Sequence, residues 1–215
     1  GLVYKLGHPE INSAPIFTTK NIIDFRSWSR PGMQGGDYIA PLYLYPDEKS
    51  KDLFATGAAR VPNLNMEIVA QIAEKLGLAF VAEKEHTPNP SQEGSFAPID
   101  ILDYIYAVLH SPSYREKYKE FLKIDFPRVP YPKDLQGFRN LAGLGAALRQ
   151  IHLLESPIVE KYITQYPIDG NNVVGKLFYE KKSETLGRVY INYEKAPPSG
   201  VGGLQYFDNV PQVAW

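Results

Sequence analysis

The sequence predicts an α+β fold, a helical scaffold packed with short, mainly antiparallel strands and closed by a C-terminal hairpin. Three observations carry this reading. In the middle of the chain apolar residues recur at three- and four-residue steps, the helical period. On either side lie alternating stretches rich in aromatic and branched residues, at the strand period of two. Proline and glycine clusters cut both textures into short pieces.

Leu2 to Asp37 is irregular, with apolar runs such as Asn21 to Phe25 bounded by Pro15, Pro31, Gly32, Gly35 and Gly36, and reads as short strands and exposed loops. Tyr38 to Tyr45 alternates and predicts one strand, with Leu42 and Leu44 on one face and Tyr43 and Tyr45 on the other. Pro46 to Arg60 is a polar loop. A helix over 66–76 follows, capped by Asn63 or Asn65 and stopped by Gly77, with Ile68, Ile72 and Leu76 inward. Leu78 to Glu83 is a short apolar strand, and His86 to Ser95 is a loop.

The clearest stretch is Asp100 to Asp134. Ile101, Leu102, Ile105, Val108 and Leu109 define one face of a helix over 98–110. Ser111 then stands at an N-cap position and Pro112 at the first helical position, so a second helix, 112–123, starts at once. Its inner stripe is Tyr114, Tyr118, Phe121 and Leu122. Pro127, Pro130 and Pro132 force an extended exit. Tyr104, Tyr106, Tyr114, Tyr118 and Phe121 could stack on bases, but their helical spacing favours core packing. Asp134 caps a long helix, 134–154, with Leu135, Phe138, Leu141, Ala142, Leu148, Ile151 and Leu154 inward. Gly143 and Gly145 each cost about 1 kcal/mol relative to alanine in a helix, which points to another backbone packing closely there.

Beyond Pro157 the texture is β. Val173 to Glu180 and Arg188 to Glu194 form a hairpin through the polar linker Lys181 to Gly187. Pro197 to Gly203 is a loop, and Leu204 to Phe207 adds a strand. Three parts result: a mixed α/β part over 1–97, a helical part over 98–156 and a β-rich part over 157–215.

Composition and motifs exclude several function classes. The 215 residues contain no cysteine, so neither disulfides nor thiolate metal sites can form, which suits the cytoplasm. No apolar run approaches the roughly 18 residues of a membrane span, and no membrane partner is expected. His8, His86, His110 and His152 lack zinc spacing. The chain has no phosphate-binding Gly-x-x-x-x-Gly-Lys-Ser/Thr loop and no Gly-x-Ser-x-Gly elbow. Pro197-Pro198 lacks the preceding Asn or Asp and the following aromatic that hold an extruded adenine. Pro46-Asp47 with Glu180 to Lys182 matches a nuclease pattern only as two short, distant pieces that coincide easily by chance. No catalytic residue and no cofactor are therefore assigned to this chain. The net charge of −1 gives no basic footprint of the kind nucleic-acid binders usually show. Locally, Ser111 to Gln150 carries eight basic against four acidic residues, an excess that a solvated helix face explains equally well.

Asp103 to Lys133, DYIYAVLHSPSYREKYKEFLKIDFPRVPYPK, resembles the C-terminal specificity region of single-chain type I-like (type ISP) restriction-modification enzymes. Two flanking pieces extend the resemblance: PLYLYP at Pro41 to Pro46 with RVPNLN at Arg60 to Asn65, and FRNLAGLGAALRQIHLLE at Phe138 to Glu155. The resemblance implies a parent polypeptide with nuclease, helicase and adenine methyltransferase parts that uses S-adenosylmethionine, ATP and Mg. It also implies that this chain is a fragment cut at both ends. The implied function is recognition of a double-stranded DNA sequence in bacterial defence. Phosphate contacts would set register, and loop side chains would read base edges.

The expected DNA-binding residues are Arg30 and Gln34 in the Ser27 to Asp37 loop with Arg26 just before it, Lys181, Lys182 and Arg188 in the hairpin, and Lys117, Lys119, Arg128 and Lys133 at phosphates. The bland alternative for the first loop is a variable surface connection. The alternative for the whole chain is a non-catalytic docking domain packed on the methyltransferase, with DNA read elsewhere.

Overall fold

The computed structural model describes residues 1–5, 16–21, 23, 37–45, 60–82, 94–193 and 204–215. It divides into two units, Gly1–Ser156 and Pro157–Trp215. The expected α+β class is what these residues form.

In the first unit β1 (Leu2–Lys5) is the central strand of an antiparallel sheet, between β2 (Ile16–Thr18) and β3 (Asp37–Ala40). The single strand expected over Tyr38 to Tyr45 is broken at Pro41, which has no N–H for a ladder. The chain resumes as β4 (Tyr43–Leu44), paired in a separate ribbon with β5 (Val61–Pro62). The two asparagines ahead of α1 (Met66–Leu76) divide their work. Asn65 is the cap, accepting from the N–H groups of Glu67 at 2.9 Å and Ile68 at 3.2 Å, while the side chain of Asn63 donates to the carbonyl of Pro41 at 2.9 Å. Gly77 ends α1 at a φ of 65°, the left-handed conformation that favours glycine. A short parallel pair follows, β6 (Ala79–Phe80) with β7 (Ser95–Phe96).

Helix α2 (Pro98–His110) is buried on nearly every side rather than along one stripe: Ile101, Leu102, Tyr104, Tyr106, Val108 and Leu109 are all core residues, and so are Asp100 and Asp103. A helix apolar all round belongs inside. Its start is held by the Asp100 carboxylate, which accepts from the N–H of Ala97 at 2.7 Å. Ser111 joins α2 to α3 (Pro112–Lys117), but its hydroxyl bonds Ser113 Oγ at 3.0 Å instead of capping the backbone. The α-helical part of this second helix is shorter than expected. It passes into a 3-10 turn at Phe121–Lys123, which buries Leu122.

Helix α4 (Leu135–His152) is capped by Asp134, whose carboxylate accepts from Gly137 N–H at 2.7 Å, and ends short of Leu154. Leu154 sits beyond the end at a φ of 59° and is exposed. The two glycines differ. A Cβ on Gly145 would overlap the carbonyl oxygen of Asp103, so the backbones of α2 and α4 touch there. A Cβ on Gly143 would meet nothing within 4 Å, so no close approach requires it. Next to the contact, Arg149 grips the Asp103 carboxylate with two bonds of 2.6 and 3.0 Å. Burial pushes the Asp103 carboxyl above the usual range, against the pull of Arg149. At the C-terminal end of α2, His110 Nε2 donates to the Ile16 carbonyl at 3.1 Å and ties β2 to the helices.

In the second unit β9 (Leu186–Tyr190) lies between β8 (Phe178–Lys181) and β10 (Tyr206–Pro211), all antiparallel, with a bulge between Phe207 and Val210. The expected hairpin is present, with a ladder that starts later and stops earlier than the alternation suggests. Val173 to Leu177 lies outside it, although Gly175 N–H still reaches the Ile191 carbonyl at 2.8 Å. Among the described residues, Ile191 is the one buried hydrophobic side chain of this unit. Aromatic contacts take the place of an aliphatic core: Phe178 stacks on Tyr193 at 4.3 Å and Tyr179 on Trp215 at 5.5 Å.

Two predictions follow from this packing. Gly145→Ala should destabilise the chain by about 1–3 kcal/mol through overpacking, whereas Gly143→Ala should be neutral or stabilise by up to about 1 kcal/mol. Urea denaturation of the two variants checks the contrast. Separately, the pKa of His110 is lowered to about 4 by burial, then by the charges of Arg115 and His152. Between its ordinary 6.5 and about 4 the unfolded chain binds the extra proton, so the stability His110 contributes is present above pH 6.5 and lost as pH falls towards 4. His110→Gln should flatten the fall in melting temperature over that window, measured against the unsubstituted chain.

Candidate nucleic-acid interface

The prolines after α3 hold Phe126 to Lys133 extended, and two buried tyrosines fasten this strap to the scaffold. Tyr114 Oη donates to the carbonyl of Arg128 at 2.8 Å, and Tyr104 Oη donates to that of Pro130 at 2.9 Å. Burial pushes both phenols up, so they stay protonated as donors. With Pro132 buried and Val129 packed on the core, Arg128, Tyr131 and Lys133 are turned to the surface.

Arg128 leads the resulting patch. Its side chain is 82% exposed, its guanidinium lies 5.3 Å from the Phe121 ring centroid, and its ion pair with Asp125 is a loose 3.7 Å. Lys117 Nζ sits 5.2 Å over Tyr118, whose ring lies 4.8 Å from that of Tyr114. A line of contacts thus runs from Lys117 through the two tyrosines to Arg128. Lys133 is exposed and Lys119 half-buried, and neither forms an ion pair among the described residues. Cations over aromatic rings, with charged heads in water, suit backbone phosphates.

The hairpin distributes its charges otherwise. Arg188 forms two bonds to the Asp208 carboxylate, 3.3 and 3.0 Å, with its guanidinium 3.9 Å from the Tyr206 centroid. Asp208 is held below the usual carboxylate range by Arg188 and raises the pKa of Arg188 in return. Lys182 pairs with Glu180 at 2.8 Å, and Tyr190 Oη donates to the same carboxylate at 2.9 Å. Arg188 is therefore part of the sheet's own construction. Lys181, exposed and without an ion pair among the described residues, is the hairpin cation left to meet a ligand. Arg26, Arg30 and Gln34 lie outside the described residues, as do His8, His86 and the Pro197 to Gly203 loop.

A different surface lies between α1, α2 and the strap. Two adjoining cavities of about 220 and 580 Å³ share Asn63, Ile105 and Val129 and are lined mainly by apolar side chains. They gather no acid, base or nucleophile into a catalytic arrangement. Among the described residues no group of three or more His, Asp or Glu could hold a metal ion, and no helix is long and apolar enough to cross a membrane.

Sequence reasoning missed the tyrosine pins and the Asp103–Arg149 pair. For the tyrosines the available signal is a polar tip at a core position of a helix: Tyr104 and Tyr114 fall on faces that must be buried, and buried polar groups need partners, whereas Asp103 lies opposite the apolar stripe of its helix and carries no such signal.

The family model described as the Type ISP C-terminal specificity domain matches residues 2–215. The chain belongs to this family, target-recognition parts of restriction-modification enzymes. No curated protein and no solved structure matches it.

The paired and unpaired cations of the hairpin separate in experiment. Arg188→Ala should lower the melting temperature, because it strands Asp208 and uncovers Tyr206, whereas Lys181→Ala should leave it unchanged. Thermal denaturation followed by near-ultraviolet circular dichroism, which reports the aromatic cluster, measures both.

Proposed function

We propose that this chain reads a sequence in double-stranded DNA and directs adenine methyltransferase and nuclease parts carried on the same polypeptide. Membership of the specificity-domain family over essentially the whole chain carries this reading. The geometry supports it with the strap, a rigid extended segment that displays Arg128, Tyr131 and Lys133 beside Lys117. In this reading Lys117, Lys119, Arg128, Lys133 and Lys181 contact phosphates, Lys182 and Arg188 set the hairpin's shape, and Arg26, Arg30 and Gln34 read bases. Reactions that need S-adenosylmethionine, ATP and Mg belong to the methyltransferase and helicase parts, and the enzyme works in the bacterial cytoplasm as a defence against foreign DNA.

Near-neutral net charge fits this function when few cations are used, each placed by the scaffold. Non-specific affinity should then be modest, with a salt dependence kept shallow by the small number of phosphates contacted. A second reading, docking on the methyltransferase part, is favoured by the apolar cleft, whose surroundings include the exposed Ile39 and Tyr131.

Fluorescence anisotropy of labelled duplex DNA against salt concentration distinguishes the two. DNA reading predicts binding at low salt, with Arg128→Ala and Lys117→Ala each weakening it across all sequences and reducing the log–log slope by about 1. Absence of binding at the lowest salt would favour docking.

A further inference from the structure

We propose that the loop Asp169 to Lys176 of the second unit reads base edges in the major groove of duplex DNA, with Asp169 and Asn171 as readers and Gln205 as the residue that positions them. The proposal rests on the target-recognition reading above and gives it a site.

The loop is clamped from inside. The Gln205 amide nitrogen donates to the Ile168 carbonyl at 3.2 Å and to Asn172 Oδ1 at 2.8 Å, and its oxygen accepts from Asn172 N–H at 2.9 Å. All hydrogen-bonding groups of this one side chain are thereby used. Tyr166 Oη adds a bond to Asn172 Oδ1 at 3.1 Å, and Gly170 passes so close over Gln205 that a Cβ there would overlap its amide. At the far end Gly175 is tied to the Ile191 carbonyl and covered by the Asn192 side chain. Asn172 is held at a φ of 56°, a conformation non-glycine residues seldom adopt.

What the clamp holds is directed outward. Every residue from Asp169 to Phe178 is exposed. Such bonding buries little, but it fixes geometry, which is what discrimination between base edges requires. The displayed groups match the major-groove code. The Asp169 carboxylate, without an ion pair among the described residues, only accepts and so suits the cytosine amino group. Asn171 uses its oxygen to accept from Val173 N–H at 3.1 Å and keeps its amide N–H groups for an acceptor such as a purine N7 or guanine O6. Val173 and Val174 offer methyl groups to thymine, and Lys176 lies at the loop's edge for a phosphate. A protein partner is the competing occupant, and membership of the specificity-domain family favours DNA over it.

The test selects duplexes from a pool with a randomised core, using the purified chain and its Asp169→Ala, Asn171→Ala and Gln205→Ala variants. The two reader variants should each lose preference at one base pair, on the order of tenfold, while still retaining duplex. Gln205→Ala should blur both positions together. If Gln205→Ala loosens the fold, the two surface variants still decide the matter. An unchanged selected sequence in both would overturn the loop as a reader while leaving DNA recognition standing. Failure of the unsubstituted chain to retain any duplex would overturn the function itself, and the loop's role with it.

Discussion

The first unit depends on one crossing, where Asp103 on α2 meets α4 in two ways at once. Its carbonyl lies against Gly145, and its carboxylate is gripped by Arg149, one turn further along. Residues four apart share a helix face, so the two contacts fix both the separation and the register of the helices. The pair is buried, with side-chain exposures of 15% for Arg149 and 5% for Asp103. Removing one partner of such a pair costs about 3–5 kcal/mol, although a well-packed apolar pair could match its stability. Its contribution here is placement. Phe138, seven residues before Gly145 on the same face, then packs against Phe96 and Tyr104.

Placement passes outward from that crossing. With α2 fixed, Tyr104 stands where its hydroxyl meets Pro130, and the joint at Ser111 sets α3 so that Tyr114 meets Arg128. The strap is thus oriented by core residues whose polar tips protrude. The largely apolar, aromatic family run therefore determines which side chains of the strap face solvent. The second unit reaches a similar end with different means, through ring stacking, the Arg188–Asp208 pair and the Gln205 clamp.

Much of this was legible in the sequence, for identifiable reasons. Helical periodicity located α1, α2 and α4, and Asp134 and Pro112 marked starts correctly because capping and proline geometry are local properties. The sequence marks Gly143 and Gly145 alike as close approaches, and Gly145 alone is one, since sequence cannot show which glycine faces a neighbour. Alternation persists across Pro41 from Tyr38 to Tyr45 and predicts one strand, yet the missing N–H decides. Of the hairpin cations, Lys181, Lys182 and Arg188 look alike in sequence. Glu180 and Lys182 are already two residues apart in sequence, but only folding brings Asp208 to Arg188. The Gln205 clamp was illegible for the same reason: its partners lie more than thirty residues away.

Under the proposed function the α2–α4 pair is scaffold, and recognition lies on the elements it supports and on exposed loops. Hydrogen–deuterium exchange of the chain, with and without a bound duplex, tests this most directly. Amides of α2 and α4 should exchange slowest and not change on adding DNA, while protection should appear along Arg128 to Lys133 and Asp169 to Lys176. Protection gained in α2 or α4, with none along the strap or the loop, would contradict it.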